Sequence, residues 1–459
     1  MKKVLLQTVL AASVALTVLP SASVFAASPA TAVVSAVNHS NGADSIEGFI
    51  QFLDNKYGIR FGDEPTRGDF IEAVAKVLPT IETATEGDSP VFTDVASSDP
   101  LYSSAVKLYK AGILTTNTIH ADAKLTPLSA LYIAVKAAGI QELSYTYPSK
   151  KVEASLNTLG LSPSRVQGKA ASEIAAAVDT GLLPSSLYKE TVQSKQASSE
   201  YAATLLGQVL ELNGNYKHSI GKSSDADIYS KLYDAYITSD LIPAPDLRKI
   251  VNQALENNEV TGYNLKDKRF DSNFIDSLKL TYGHDDIKHA KQLIGLLRSE
   301  GIEADIQLQP KTSAFIYLKE WGEPKETENY KVEQIANGNY IAYAKEYDLD
   351  FEFNNTDDKH RFNDVVLAYA KKNSDEQKDL LYGSWWQPLY YSTTALPNYK
   401  VIVNNKITKG NYYAQSFTLK ENAAKVSAVF KKLAPDADVS SYKLWVDVPF
   451  YNYLQGGFE

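Results

Sequence analysis

The apolar residues of this 459-residue chain change their spacing partway along it, and that change limits the fold more than any other feature. From about residue 44 to 214 they recur three to four apart, the period of an amphipathic helix. Residues 215–275 form a helical transition, with "DADIYSKLYDAYITSDLI" and "APDLRKIVNQALENN" punctuated by "PAP". From residue 277 the period falls to two in "SLKLTY", "IEADIQLQ", "EYDLDFEF" and "YYAQSFTL", with helical patterns between these runs. The length exceeds one ordinary domain. The switch therefore reads as multidomain: an all-α module first, then an α+β region over 276–459.

The helical part repeats itself. "SIEGFIQFLDNKYGI", "YSSAVKLYKAGIL" and "ASEIAAAVDTGLL" each end in a glycine and an aliphatic residue, with Gly58, Gly112 and Gly181 where a left-handed C-terminal cap is wanted. Each is followed by a second helix: "TRGDFIEAVAKVLP", "TPLSALYIAVKAAG" and "ASSEYAATLLGQVLELNG", starting at Thr66, Thr126 and Ser198 as N-caps. A single helical hairpin cannot bury both faces, so three must pack together. The units are expected at about 44–80, 91–140 and 152–214.

The second part reads as strand-helix-strand units. "SLKLTY" (277–282), the helix "DIKHAKQLIGLLRSEG" and the strand "IEADIQLQ" make one unit, with "KTSAFIYLKEW" as the strand after it. "YYAQSFTL", "ENAAKVSAVFKKLAPD" and the strands of "ADVSSYKLWVDVPFYNYL" make another. "EYDLDFEF" and the helix "DDKHRFNDVVLAYAKKN" stand between them. The expected topology is a set of ferredoxin-like split units.

Composition and the N-terminus bear on compartment. Lys2 and Lys3 precede an apolar stretch from Val4 to Leu19, and Val24-Phe25-Ala26 places small residues for cleavage before Ala27. This is the pattern of a secretory signal peptide (1–26), followed by an Ala-, Ser- and Val-rich linker (27–43). The chain has no cysteine, so it holds no disulfide and does no thiol chemistry. A net charge of −9 disfavours nucleic acid as a partner. A large cysteine-free secreted chain fits a Gram-positive cell surface.

Three constellations invite a chemical reading. "YGHDDIKHAKQ" puts His284 and His289 near a helix start, but a spacing of five aligns them poorly, and Asp285 or Asp286 is better read as the cap. Glu346, Asp348, Asp350 and Glu352 share one face of "EYDLDFEF", where carboxylates bind calcium or act as an acid/base pair. A solvated strand edge explains them more simply. "SWWQPLYYS" gathers Trp385, Trp386, Tyr390 and Tyr391, either core residues or an aromatic platform for a glycan or partner. No nucleophile elbow, His-Glu-x-x-His or phosphate-cradling loop is present in the sequence, so no catalytic residue, metal or cofactor is expected.

The stretches "VFTDVASSDPLYSSAVKLYKAGIL" (91–114), "LTPLSALYIAVKAAGI" (125–140) and "PTRGDFIEAVAKVL" (65–78) resemble the S-layer homology family of Gram-positive envelopes. The third unit keeps only the skeleton. The resemblance implies a three-unit anchor that binds secondary cell wall polysaccharide, often pyruvylated. In the family's Thr-Arg-Ala-Glu stretch this chain has Thr66, Arg67, Gly68 and Asp69. A planar guanidinium grips a ketal carboxylate through two parallel hydrogen bonds, which suits Arg67 to that role. Pro127 and Ser199 stand where the other two arginines belong, and Arg165 is a candidate substitute. The same residues spell Arg-Gly-Asp, but Pro65 and Thr66 mark a helix start rather than the loop tip an integrin ligand needs. The expected function is a secreted, non-catalytic, wall-anchored protein displaying a binding or self-assembling region. The alternative is a surface enzyme acting on glycans through Asp348 and Asp350.

Overall fold

The structure, a computed structural model, describes residues 42–78, 92–162, 164–369 and 389–457. The expected signal peptide and all but the last two residues of the linker lie outside them. Among the described residues nine α-helices come first: α1 (Gly42–Tyr57), α2 (Arg67–Val77), α3 (Pro100–Lys110), α4 (Pro127–Ala137), α5 (Gln141–Ser144), α6 (Ser149–Leu159), α7 (Gly168–Asp179), α8 (Tyr188–Gln193) and α9 (Ser199–Leu212). Gly58, Gly112 and Gly181 have φ of 60°, 72° and 79°, the left-handed conformation that ends α1, α3 and α7 without a Cβ clash.

The starts of α2, α4 and α9 are capped by the hydroxyls of Thr66, Thr126 and Ser198, each accepting from the backbone N–H three residues on. A cap of this kind is worth about 1 kcal/mol. The three starts lie side by side. Leu125 N–H donates to the Pro65 carbonyl at 3.0 Å, and Ala197 N–H donates to the Leu125 carbonyl at 2.7 Å. Their apolar faces, with Phe70, Val74, Leu131, Ala134, Leu205 and Leu206, fill one core.

The rest of the chain alternates strands and helices: β1 (Gly221–Lys222), α10 (Ile228–Ile237), α11 (Pro245–Glu256), β2 (Gly262–Asp267), β3 (Lys279–His284), α12 (Ile287–Ser299), β4 (Ala304–Tyr317), β5 (Tyr330–Gln334), β6 (Tyr340–Phe353), α13 (Thr356–Tyr369), β7 (Leu389–Ser392), β8 (Lys400–Lys409), β9 (Tyr412–Thr418), α14 (Ala423–Leu433), β10 (Asp438–Val446) and α15 (Val448–Leu454). Eight of these strands close into an antiparallel barrel in the order β4-β2-β9-β8-β10-β7-β3-β6 and back to β4. The closing pair is the longest, from Ala304 opposite Phe353 to Tyr317 opposite Tyr340. β1 pairs with β4 and β5 with β6, outside the ring of eight.

This corrects the expected architecture. From Gly42 on, the described residues form one compact unit of a closed eight-stranded barrel and fifteen α-helices, not an all-helical module followed by ferredoxin-like units. "IEADIQLQ" and "KTSAFIYL" are one continuous strand, β4, and "VPFYNYL" is helix α15 rather than strand. The strands β2, β7 and β8, which the alternation did not single out, supply three staves of the barrel. Local strand-helix-strand reading misses closure because the β4–β6 and β2–β9 pairings join residues far apart in sequence.

Successive side chains on a strand point to opposite faces, and here the apolar face points outward. Leu280, Leu308, Leu349 and Phe351 pack beneath Leu232 of α10, Leu293 and Leu297 of α12 and Phe362 of α13. Leu265, Ile407 and Ala414 pack beneath Val251 of α11 and Phe430 of α14. The helical part joins this body through Tyr216, whose ring lies 4.8 Å from Phe49 and 4.7 Å from Phe52 of α1. Lys56 of α1 pairs with Asp276 at 3.2 Å.

The tightest approach in the helical core is α1 against α9. A Cβ on Gly207 would stand 2.2 Å from the Phe49 ring, and Phe49 is buried and has nowhere to move. Gly207→Ala is expected to destabilise the chain by about 1–3 kcal/mol through overpacking, read by urea denaturation. Unchanged stability would mean that α1 does not dock on α9 in this way.

Candidate binding site at the mouth of the barrel

The inward face of the barrel is polar. On β6 the inward positions Glu346, Asp348, Asp350 and Glu352 are all buried. They are not the solvated edge that their alternation suggests, because β6 has neighbours on both sides. Each carboxylate meets a lysine. Lys311 of β4 lies 3.1 Å from Glu346 and 2.9 Å from Asp348. Lys266 of β2 pairs with Asp348, Lys279 of β3 with Asp350 at 2.7 Å, and Lys217 with Glu352 at 2.7 Å.

Hydroxyls and a backbone amide add further bonds to Asp348, Asp350 and Glu352, while Glu346 Oε1 is buried without a hydrogen-bond partner. Tyr391 donates to Asp348 at 2.7 Å, and Thr281 and Ser272 donate to Asp350 at 2.5 and 2.6 Å. Ile275 N–H donates to Glu352 at 2.7 Å. Burial works to raise the Asp348 carboxyl, but Lys266 and Lys311 outweigh it and hold that carboxyl well below the ordinary aspartate range. Burial would likewise lower Lys311, and Asp348 and Glu346 reverse this and hold its ammonium above the usual value. Glu346 goes the other way: burial raises its carboxyl despite Lys311.

One side of this ladder is closed and the other is open. Phe450 of α15 packs with Leu389, Ile402, Leu444 and Val446, and Tyr453 lies beside it near Lys311 and Glu346. At the opposite side a cavity of 620 Å³ opens, lined by Lys266, Lys279, Gln309, Tyr391, Lys406, Tyr413, Gln415 and Tyr442 from the barrel wall. Asp271, Asn273, Asp276 and Lys56 form its rim. Asp271 accepts from the Tyr413 hydroxyl at 2.7 Å and from the Gln309 amide. Beside the rim, Lys359 of α13 donates to Ser277 O, Ser392 Oγ and Thr394 Oγ1 at 2.9–3.1 Å. Burial pushes its ammonium down to about 8.

The residues singled out in the sequence fall in three places. Thr66, Arg67 and Asp69 stand at the first turn of α2. Thr66 Oγ1 accepts from Asp69 N–H at 3.1 Å and Asp69 accepts from Thr66 N–H at 2.8 Å, a capping box. Arg67 is half-buried, with Nε donating to the Ile119 carbonyl at 2.7 Å; burial lowers its guanidinium while Asp94 opposes this. Gly68 is buried, and a Cβ there would come within 3.1 Å of the Ala121 carbonyl. Arg-Gly-Asp is therefore packed into the fold rather than carried at a loop tip. Arg165 is exposed in the turn between α6 and α7, with no hydrogen bond among the described residues to Thr66, Arg67 or Asp69.

Tyr390 and Tyr391 point to opposite faces of β7. Tyr390 lies against Tyr282 outside the barrel, 4.8 Å between ring centroids, and Tyr391 reaches Asp348 inside it. They do not form one platform, and Trp385 and Trp386 lie outside the described residues. Asp286 caps α12, whereas His284 and His289 are both buried with rings 4.1 Å apart, closer than their spacing suggested. Among the described residues no three His, Asp or Glu side chains are placed to hold a metal ion, and no helix is long and apolar enough to cross a membrane.

Sequence reasoning missed Lys266, Asp271, Gln309, Lys406, Tyr413 and Gln415. The available signal was charge matching: acids at every second position of one strand, and single lysines, Lys266, Lys279 and Lys311, in three others. Comparison of the chain with protein-family models, with curated proteins and with solved structures finds no match in any of the three. The resemblance to the S-layer homology family rests on the quoted residues alone.

Removing one partner of a buried pair leaves the other uncompensated. Asp348→Asn is expected to cost about 3–5 kcal/mol at pH 7, measured by denaturant unfolding. The depressed Asp348 carboxyl contributes stability above its unfolded value near 4, and loses it as pH falls through the lower folded value. The variant should therefore show a shallower loss of stability below pH 4 than the wild type.

Proposed function

We propose that the chain is a secreted, non-catalytic cell-envelope protein that holds secondary cell wall polysaccharide at its helical end and takes a small polar ligand into the mouth of its barrel. The observation that carries the binding reading is the 620 Å³ cavity, whose lining is polar on the inner face of a closed barrel. Its volume lies within the range of small-molecule sites, about 300–1,000 Å³.

The alternative, a glycan hydrolase using Asp348 and Asp350, is less well supported. Such an enzyme needs one carboxyl kept protonated near neutral pH as the general acid. Asp348 is held in the opposite direction by two lysines, and Asp350 is engaged by Lys279, Thr281 and Ser272. These carboxylates serve the barrel's own charge balance.

Wall binding draws support from the sequence resemblance and from the meeting of the three helix starts. Arg67 stands at the first position of α2, and Pro127 and Ser199 occupy the same position in α4 and α9. A groove lined by Asp63, Glu64, Lys189, Glu190 and Ser198 runs between the start of α2 and the α8–α9 region. The signal-peptide pattern at the N-terminus supports a surface location in the same reading.

The test is co-sedimentation of the mature chain, from Ala27 onward, with purified Gram-positive walls before and after the secondary polysaccharide is stripped. Binding is expected to intact walls and to be lost on stripping. Arg67→Lys keeps the charge and a donor toward Ile119 but not the planar fork, and is expected to weaken binding about tenfold. Equal binding to both preparations, or to neither, would contradict the wall reading.

A further inference from the structure

Every carboxylate of the β6 ladder has its own lysine, and among the described residues one lysine of the mouth's barrel wall is left over. Lys406 of β8 lines the mouth, and among the described residues no carboxylate forms an ion pair with it. Its Nζ instead sits 3.9 Å from the centroid of the Tyr413 ring. Burial lowers its ammonium, with Asp271 opposing. A cation in this position is stabilised by an anion that arrives with a ligand.

The groups around Lys406 define what else that ligand carries. Gln415 stands directly opposite Lys406 in the β8–β9 ladder, and its Oε1 is buried without a hydrogen-bond partner. Thr393 Oγ1, also in the cavity lining, is buried and unpartnered as well. Asp271 accepts from two neutral donors, Tyr413 and Gln309, both at Oδ1, and has lone pairs to spare. An amide oxygen and a carboxylate call for hydroxyl donors, and the exposed Tyr442 ring at the wall suits the apolar face of a sugar ring. A bare inorganic anion would satisfy Lys406 and leave these acceptors orphaned.

We propose that the mouth of the barrel is a site for an acidic sugar, with its carboxylate or phosphate on Lys406 and its hydroxyls on Gln415 and Asp271. The proposal rests on the reading of the mouth as a ligand site and names the class of ligand. The carboxylate and phosphate forms share the chemistry that Lys406 recognises, and the test separates them.

Isothermal titration of the full chain with glucuronate, glucose 6-phosphate and glucose tests it. At least one of the acidic sugars is expected to bind ten times more tightly than glucose, and which one does so identifies the anion. Lys406→Met should bring the acidic sugars down to the level of glucose, while Lys406→Arg keeps the preference. Because Lys406 has no carboxylate partner, Lys406→Met should melt no lower than the wild type; if it fails to fold, Lys406→Gln serves in its place. Equal binding of glucose and the acidic sugars, or a preference that survives Lys406→Met, would overturn the anion seat and leave the mouth as a polar-ligand site. Absence of binding by all three would overturn both.

Discussion

Four carboxylates at alternate positions of one buried strand set the terms for the rest of this structure. Taking a carboxylate out of water costs several kcal/mol even after relaxation, and the cost is offset only by close, well-oriented partners. Lys266, Lys279 and Lys311 come from three different strands, and Lys217 from the connection between α9 and β1, to supply them. A slip of one residue in any of these strands would turn its lysine out of the barrel and an apolar residue in. The ladder thus acts on register, and through register on closure.

The same constraint explains why the barrel is covered by helices. With charge on the inner face, the apolar alternates face outward and must be buried there. Helices α10, α12 and α13 cover one side and α11 and α14 another. The interior then divides by chemistry along its length. Where the inward residues turn apolar, α15 seals it with Phe450. Where they stay polar and the lysines outnumber their partners, the barrel remains open. The candidate site is the unsealed end of an interior that could not be made dry.

How much of this was legible in the sequence depends on the range of the interactions. The caps at Thr66, Thr126 and Ser198 and the left-handed glycines were readable because each involves residues within one or two turns. The capping box of Asp69 with Thr66 was readable for the same reason, and it settles the Arg-Gly-Asp question. The barrel was not. Alternation in "EYDLDFEF" shows that two faces differ, but it does not say which of them meets water. The usual assumption, charge outward, gave a solvated edge where the chain has a paired interior. Lys406 and Gln415 were invisible individually, since their meaning lies in facing each other across a hairpin whose strand β8 carried no strong signal.

The central claim is that the charged faces of β2, β4 and β6 point inward. Acetylation of lysines in the native chain with an amine-reactive ester, followed by mass spectrometry, tests it most directly. Lys266 and Lys311, buried and ion-paired, should react far more slowly than the exposed Lys195 and Lys443, and all four should react alike after unfolding in guanidinium. Native labelling of Lys266 and Lys311 at the rate of Lys195 would place these strands with their charges in solvent and contradict the account.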